Sequence, residues 1–183
     1  MPMKALVILT MLSICSPVLA GEIADLQQRI PPDKRRTSVL PPPSASTHYS
    51  HGITEVGIER TGCFGTCPAY TCIAKVDGSV RYKGGEYAPR QGEFTSEIHG
   101  PYFHGLAQFI KDSGFMDLED AYRVEITDLP TVYTMVVMNG ERKIVRNYGN
   151  SGPSKLWAIE ALIDDLCAQA DWKQKPARLT LRR

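Results

Sequence analysis

Apolar and polar positions begin to alternate at Ile53. Across Ile53–Arg60, Val56 and Ile58 fall on one side and Glu55 and Gly57 on the other, the two-residue period of a strand. Ala69–Val76 repeats the pattern, with Tyr70, Cys72, Ala74 and Val76 facing one way and Thr71 and Lys75 the other. Asp77-Gly78 then predicts a two-residue hairpin turn into Ser79–Lys83, where Val80 and Tyr82 are the apolar members. Gly84-Gly85 breaks that strand, and Gly92–Ile98 carries a weaker strand pattern. Pro101 and Gly114 bracket a helix over Tyr102–Asp112. Thr131–Met138 and Glu141–Asn147 flank Asn139-Gly140, the most favourable hairpin dipeptide. Behind Pro153, Leu156, Ile159, Leu162, Ile163, Leu166 and Cys167 recur every three or four residues, an apolar stripe suited to lie across a sheet. Strands, helix, hairpin, helix is the order of an α+β fold: an antiparallel β-sheet with two helices packed on one face.

The flanks read differently. Met1-Pro2-Met3-Lys4 precedes an apolar run from Ala5 to Cys15, Pro17 breaks it, and Val18-Leu19-Ala20 supplies small residues at the cleavage positions. Residues 1–20 therefore read as a secretory signal peptide, and the run is shorter than the ~20 residues a membrane helix needs. Residues 21–50 hold Pro31, Pro32 and Pro41-Pro42-Pro43 with few large apolar side chains, so a Pro-rich disordered linker is expected there. Ile23 to Ile30 have the composition for a helical turn or two before the first prolines. A single α+β domain is expected over 51–172, and a basic flexible tail over 173–183.

Charge narrows the partners. Removing residues 1–20 takes away Lys4 and no acidic residue, so the formal net charge falls from +1 to zero. A neutral chain offers no electrostatic case for nucleic acid or an anionic membrane. An exported chain points instead to a protein or cell-envelope partner, and to a periplasmic or secreted location in which disulfides persist.

The densest feature is Thr61-Gly62-Cys63-Phe64-Gly65-Thr66-Cys67-Pro68, set between two strand patterns. With Arg60, Ala69 and Tyr70 around it, and Asp77-Gly78 and Asp128-Leu129-Pro130-Thr131 downstream, it resembles a family of exported bacterial proteins known as a domain of unknown function, number 6438. The resemblance covers about Ile53 to Cys167 and implies an exported α+β module with no established activity. Asp128 matches the family's pattern, which makes it the foremost candidate site residue outside the cysteines, beside the turn residues Cys63, Phe64, Gly65, Cys67 and Pro68.

Behind residue 20 four cysteines remain, which allow three pairings. Cys63–Cys67 would pin the tight turn. Cys72–Cys167 would staple the last helix to the strand beneath it, since both lie on the apolar faces of those elements. The alternative is that Cys72 and Cys167 are small buried thiols that never pair.

A thiol-based function competes with the structural one. A redox couple needs a cysteine with a depressed pKa, yet the pattern after Pro68 is a strand and brings no helix N-terminus to either sulfur. Cys-x-x-x-Cys-Pro also occurs in exported copper chaperones of the Sco type, which set it before a helix. On that resemblance Cys63 and Cys67, with His51 or His99, would hold copper or zinc. Elsewhere, Asp164 and Asp165 read as solvated charges and Ser151 and Ser154 as helix-start residues. No nucleophile or acid–base constellation emerges, so a non-enzymatic, disulfide-stabilised binding or structural module is the leading expectation.

Overall fold

The computed structural model describes residues 21–29 and 49–174. The expected signal peptide, the linker from residue 30 to 48 and the tail beyond 174 lie outside the described residues. The chain runs α1 (Glu22–Arg29), β1 (Ile53–Arg60), β2 (Tyr70–Lys75), β3 (Ser79–Gly84), β4 (Gly92–Glu97), α2 (Gly100–Asp112), β5 (Ala121–Tyr122), β6 (Thr131–Met138), β7 (Glu141–Tyr148), α3 (Ser154–Gln169) and β8 (Lys173–Gln174). The strands form one sheet in the order β5-β7-β6-β1-β2-β3-β4-β8. All pairings are antiparallel except β5 with β7. The fold is α+β.

The strand faces follow the sequence alternation. Val56, Ile58, Cys72, Ala74, Val80, Tyr82, Val132, Val136 and Val145 join one apolar cluster with Phe103, Leu106 and Ile110 of α2 and Leu156, Ile159 and Ile163 of α3. The opposite face carries a second, smaller cluster of Ile23, Ile73, Met135 and Ile144, with Leu26 and Tyr133 packed against it. Ile23 and Leu26 belong to α1, so a helix covers this face too. Its residues open the segment expected as linker; a helical turn was readable there, its docking was not. Gly57 makes that docking possible, because a Cβ at this position would lie 3.0 Å from Ile23 Cδ1 and 3.1 Å from Ile73 Cγ1. Among the described residues no helix is long and apolar enough to cross a membrane.

Two local expectations change. The first hairpin is closed by three residues, Val76, Asp77 and Gly78. Gly78 N donates to Lys75 O at 3.0 Å and Gly78 takes φ 89°, the three-residue hairpin loop with a left-handed glycine. The Asp77 carboxylate turns back to accept from Ser79 N at 2.9 Å and is held below its ordinary pKa by the Ser79 hydroxyl. At the other end, Lys173 and Gln174 add to the sheet edge opposite Thr95 and Phe94; the polar pattern around them gave no strand signal. The Asn139-Gly140 hairpin adopts the expected pair of positive φ angles, 53° and 83°.

Candidate functional site

β1 ends at Arg60 and the chain turns through the cysteine loop before β2 begins at Tyr70. Two disulfides are present. Cys63–Cys67 closes the turn with its Cα atoms 5.5 Å apart, and Cys72–Cys167 joins β2 to α3 at 6.5 Å, both within the ordinary range. The turn is tied down on both sides. Thr61 N donates to Thr131 O at 3.0 Å and Phe64 N to Asp128 O at 3.4 Å, while Ala69 N donates to Glu86 O at 3.0 Å. Thr131 N in turn donates to Thr61 Oγ1 at 3.0 Å. Thus Phe64 of the cysteine turn and Asp128, 64 residues apart in sequence, stand side by side. Asp128 sits at φ 65° with an exposed side chain. Phe64 projects from the apex of the turn with 93% of its surface exposed.

His51 and His99 lie elsewhere. His51 precedes β1 and His99 follows β4, where Ile98 N donates to Gly78 O at the β2–β3 turn. Both are at the end of the sheet where β1 begins. The cysteine turn is at its other end, about 26 Å away for eight residues at ~3.3 Å each. The copper or zinc set considered from the sequence, Cys63 and Cys67 with His51 or His99, is therefore not brought together. Among the described residues no three His, Cys, Asp or Glu side chains converge as a metal site.

The sequence reading missed a polar cluster beside the turn. Arg60 Nε donates to Asp164 Oδ2 at 3.0 Å, with Nη2 on the same oxygen, and the Tyr70 hydroxyl donates to Asp164 Oδ1 at 2.7 Å. Asp164 is thus no solvated charge: α3 lays it over the sheet, where Arg60 and Asp164 are 25% and 27% exposed. Burial and then the Asp164 carboxylate push Tyr70 far above the ordinary phenol range, so it stays a neutral donor. One helical turn earlier, buried Glu160 accepts from Asn147 Nδ2 at 3.0 Å, and Asn147 Oδ1 accepts from Gly152 N at 2.9 Å. Burial raises the Glu160 pKa, partly offset by the Asn147 bond. Both Asp164 oxygens are thus occupied by partners within the fold, and Glu160 Oε1 by the Asn147 amide. The signal was present in the sequence: Glu160 and Asp164, four apart, interrupt the apolar stripe of α3.

On the α1 face a groove of about 470 Å³ runs from Thr61-Gly62 to Gly84-Gly85, bounded by Gln28 and Tyr133. At its α1 end Glu59 is 3% exposed. Its Oε2 accepts from Ile23 N at 2.7 Å and Ala24 N at 3.2 Å.

The family model described as Domain of unknown function (DUF6438) matches residues 54–167. That is more than half of the chain, and the chain belongs to this family. The match begins within β1 and closes at Cys167, enclosing both disulfides, Arg60, Tyr70, Asp128, Glu160 and Asp164; α1 and β8 fall outside it. None of the curated proteins compared with the chain matches it.

Proposed function

We propose that the chain is exported, cleaved behind Ala20, and acts as a non-enzymatic binding module whose recognition element is the Cys63–Cys67 turn. The observation that carries this reading is Phe64, 93% exposed on a turn closed by a disulfide and anchored to Asp128 and Thr131. A large aromatic held rigidly in water costs little conformational entropy when it enters a partner's pocket, and buried aromatics carry much of the energy of an interface. The polar residues nearby support the same view. Arg60 and Tyr70, which flank the turn, are satisfied by Asp164, and Glu160 by Asn147, so these groups serve the fold. The partner is a protein or another component of the cell envelope.

The test is photo-cross-linking in the exported protein. A photoreactive side chain at position 64 is expected to give a discrete adduct, and the same group at Phe109, on the outer side of α2, none. Equal labelling from both positions, or no adduct from position 64, would count against the turn as the recognition element.

A further inference from the structure

Glu59 is a carboxylate in an unusual position. It lies on the central strand β1, flanked across the sheet by Thr71 and Tyr133, neither of which brings a positive charge. Among the described residues no Lys or Arg forms an ion pair with it. Burial and, less strongly, the like charge of Glu22 push the Glu59 pKa up, against the two backbone hydrogen bonds that lower it. A carboxylate so placed calls for a cation. The residue pressed against it is Gly21, where a Cβ would sit 1.8 Å from Glu59 Oε1 and 2.5 Å from Oε2. The backbone nitrogen lies about 2.5 Å from a Cβ by standard geometry, which puts the Gly21 nitrogen within about 4.3 Å of Glu59 Oε1.

We infer that Glu59 is an amine-binding site, and that its ligand is the α-ammonium group created on Gly21 by cleavage behind Ala20. The inference rests on the export reading above. Hydrolysis of the Ala20–Gly21 bond by a processing peptidase consumes one water and leaves a carboxylate on Ala20 and an ammonium on Gly21. That ammonium supplies the charge that Glu59 lacks, while Oε2 continues to cap α1 through Ile23 and Ala24. A side chain at position 21 would force the Glu59 carboxylate to move from where it stands. Processing thereby locks α1 onto the second face of the sheet. A simple capping role for Glu59 would be indifferent to what precedes Gly21.

The experiment compares two defined chains. One is released from a fusion so that it begins at Gly21; the other carries Gly-Ser-Gly-Ser ahead of Gly21. Each is made with Glu59 and with Glu59→Gln, and unfolded in urea near neutral pH. The chain beginning at Gly21 is expected to be stabilised about tenfold or more in its folding equilibrium, the range of a charge-assisted hydrogen bond, with the difference lost in Glu59→Gln. Equal stability of the two starts, or a difference that survives Glu59→Gln, overturns the inference. Should Glu59→Gln not fold, acylation of the α-amine in the two Glu59 chains decides. The Gly21 amine is expected to react at least about tenfold more slowly than that of the extended chain, and equal rates overturn the inference. The first residue of the exported protein, read by intact mass, tests the cleavage reading separately. A start other than Gly21 removes the natural ligand, whatever the defined chains show.

Discussion

Asp164 accepts from both Arg60 and Tyr70, and this makes it the residue whose loss is easiest to forecast. Asp164→Asn leaves the Arg60 guanidinium without a counter-charge at a site about three-quarters buried. A loss of about 1.5–3 kcal/mol is expected in urea unfolding, and the double substitution Arg60→Met with Asp164→Leu should restore part of it. Glu160 ties stability to pH. Its folded pKa is raised above 4.5 by burial, so the folded state holds its proton more tightly than the unfolded state. This contribution is fully present below about 4.5 and declines as pH rises through the folded value. Glu160→Gln keeps the acceptor for Asn147 and removes the titration. Its stability relative to the native protein, with Arg60 and Asp164 the other charges acting on residue 160, is expected to improve as pH rises from about 4.5. A flat difference across that range would show that Glu160 does not titrate as described. These residues were partly legible, because a Glu and an Asp four apart break into an apolar stripe. Glu59 was not. Its burial depends on β1 lying in the centre of the sheet with both faces covered, which no local pattern encodes.

Strands β1, β2, β6 and β7 and helices α2 and α3 were readable because each follows one period and is bounded by glycine or proline. α1 was readable only as a helical turn, since eight residues are too few to be stable alone; its stability comes from docking. Gly57 controls that docking. Gly57→Val would drive Cγ atoms into the space of Ile23 and Ile73 and is expected to release α1. Hydrogen exchange at residues 23–29 would rise toward unprotected rates while β6 and β7 stay protected. Unchanged protection would mean that α1 is not held by this contact. The disulfides differ just as sharply. Cys72–Cys167 closes a loop of 95 residues and Cys63–Cys67 one of 4. In the chain-entropy picture their removal costs about 4–5 and about 2 kcal/mol respectively. Paired Cys→Ser substitutions followed by urea unfolding check the ranking, and the reverse order would place the main staple in the turn.

As a whole, the molecule is a two-sided sheet. Its larger face is covered by α2 and α3 and bolted by one disulfide; its second is covered by α1; and the other disulfide rigidifies an exposed corner. The family match covers residues 54–167, a range that encloses both bridges and leaves α1 outside. Function was less legible than fold for a physical reason. On the proposed reading, the turn has no stoichiometric chemistry to leave in the sequence, only an exposed aromatic and the means of fixing it. The most direct measurement is the intact mass of the exported protein, purified without reductant, before and after alkylation of free thiols. The account predicts a chain starting at Gly21, lighter by two hydrogens for each of the two bridges and inert to alkylation. Two alkylatable thiols mapped to Cys63 and Cys67 would contradict it and make thiol chemistry at the turn the function to pursue.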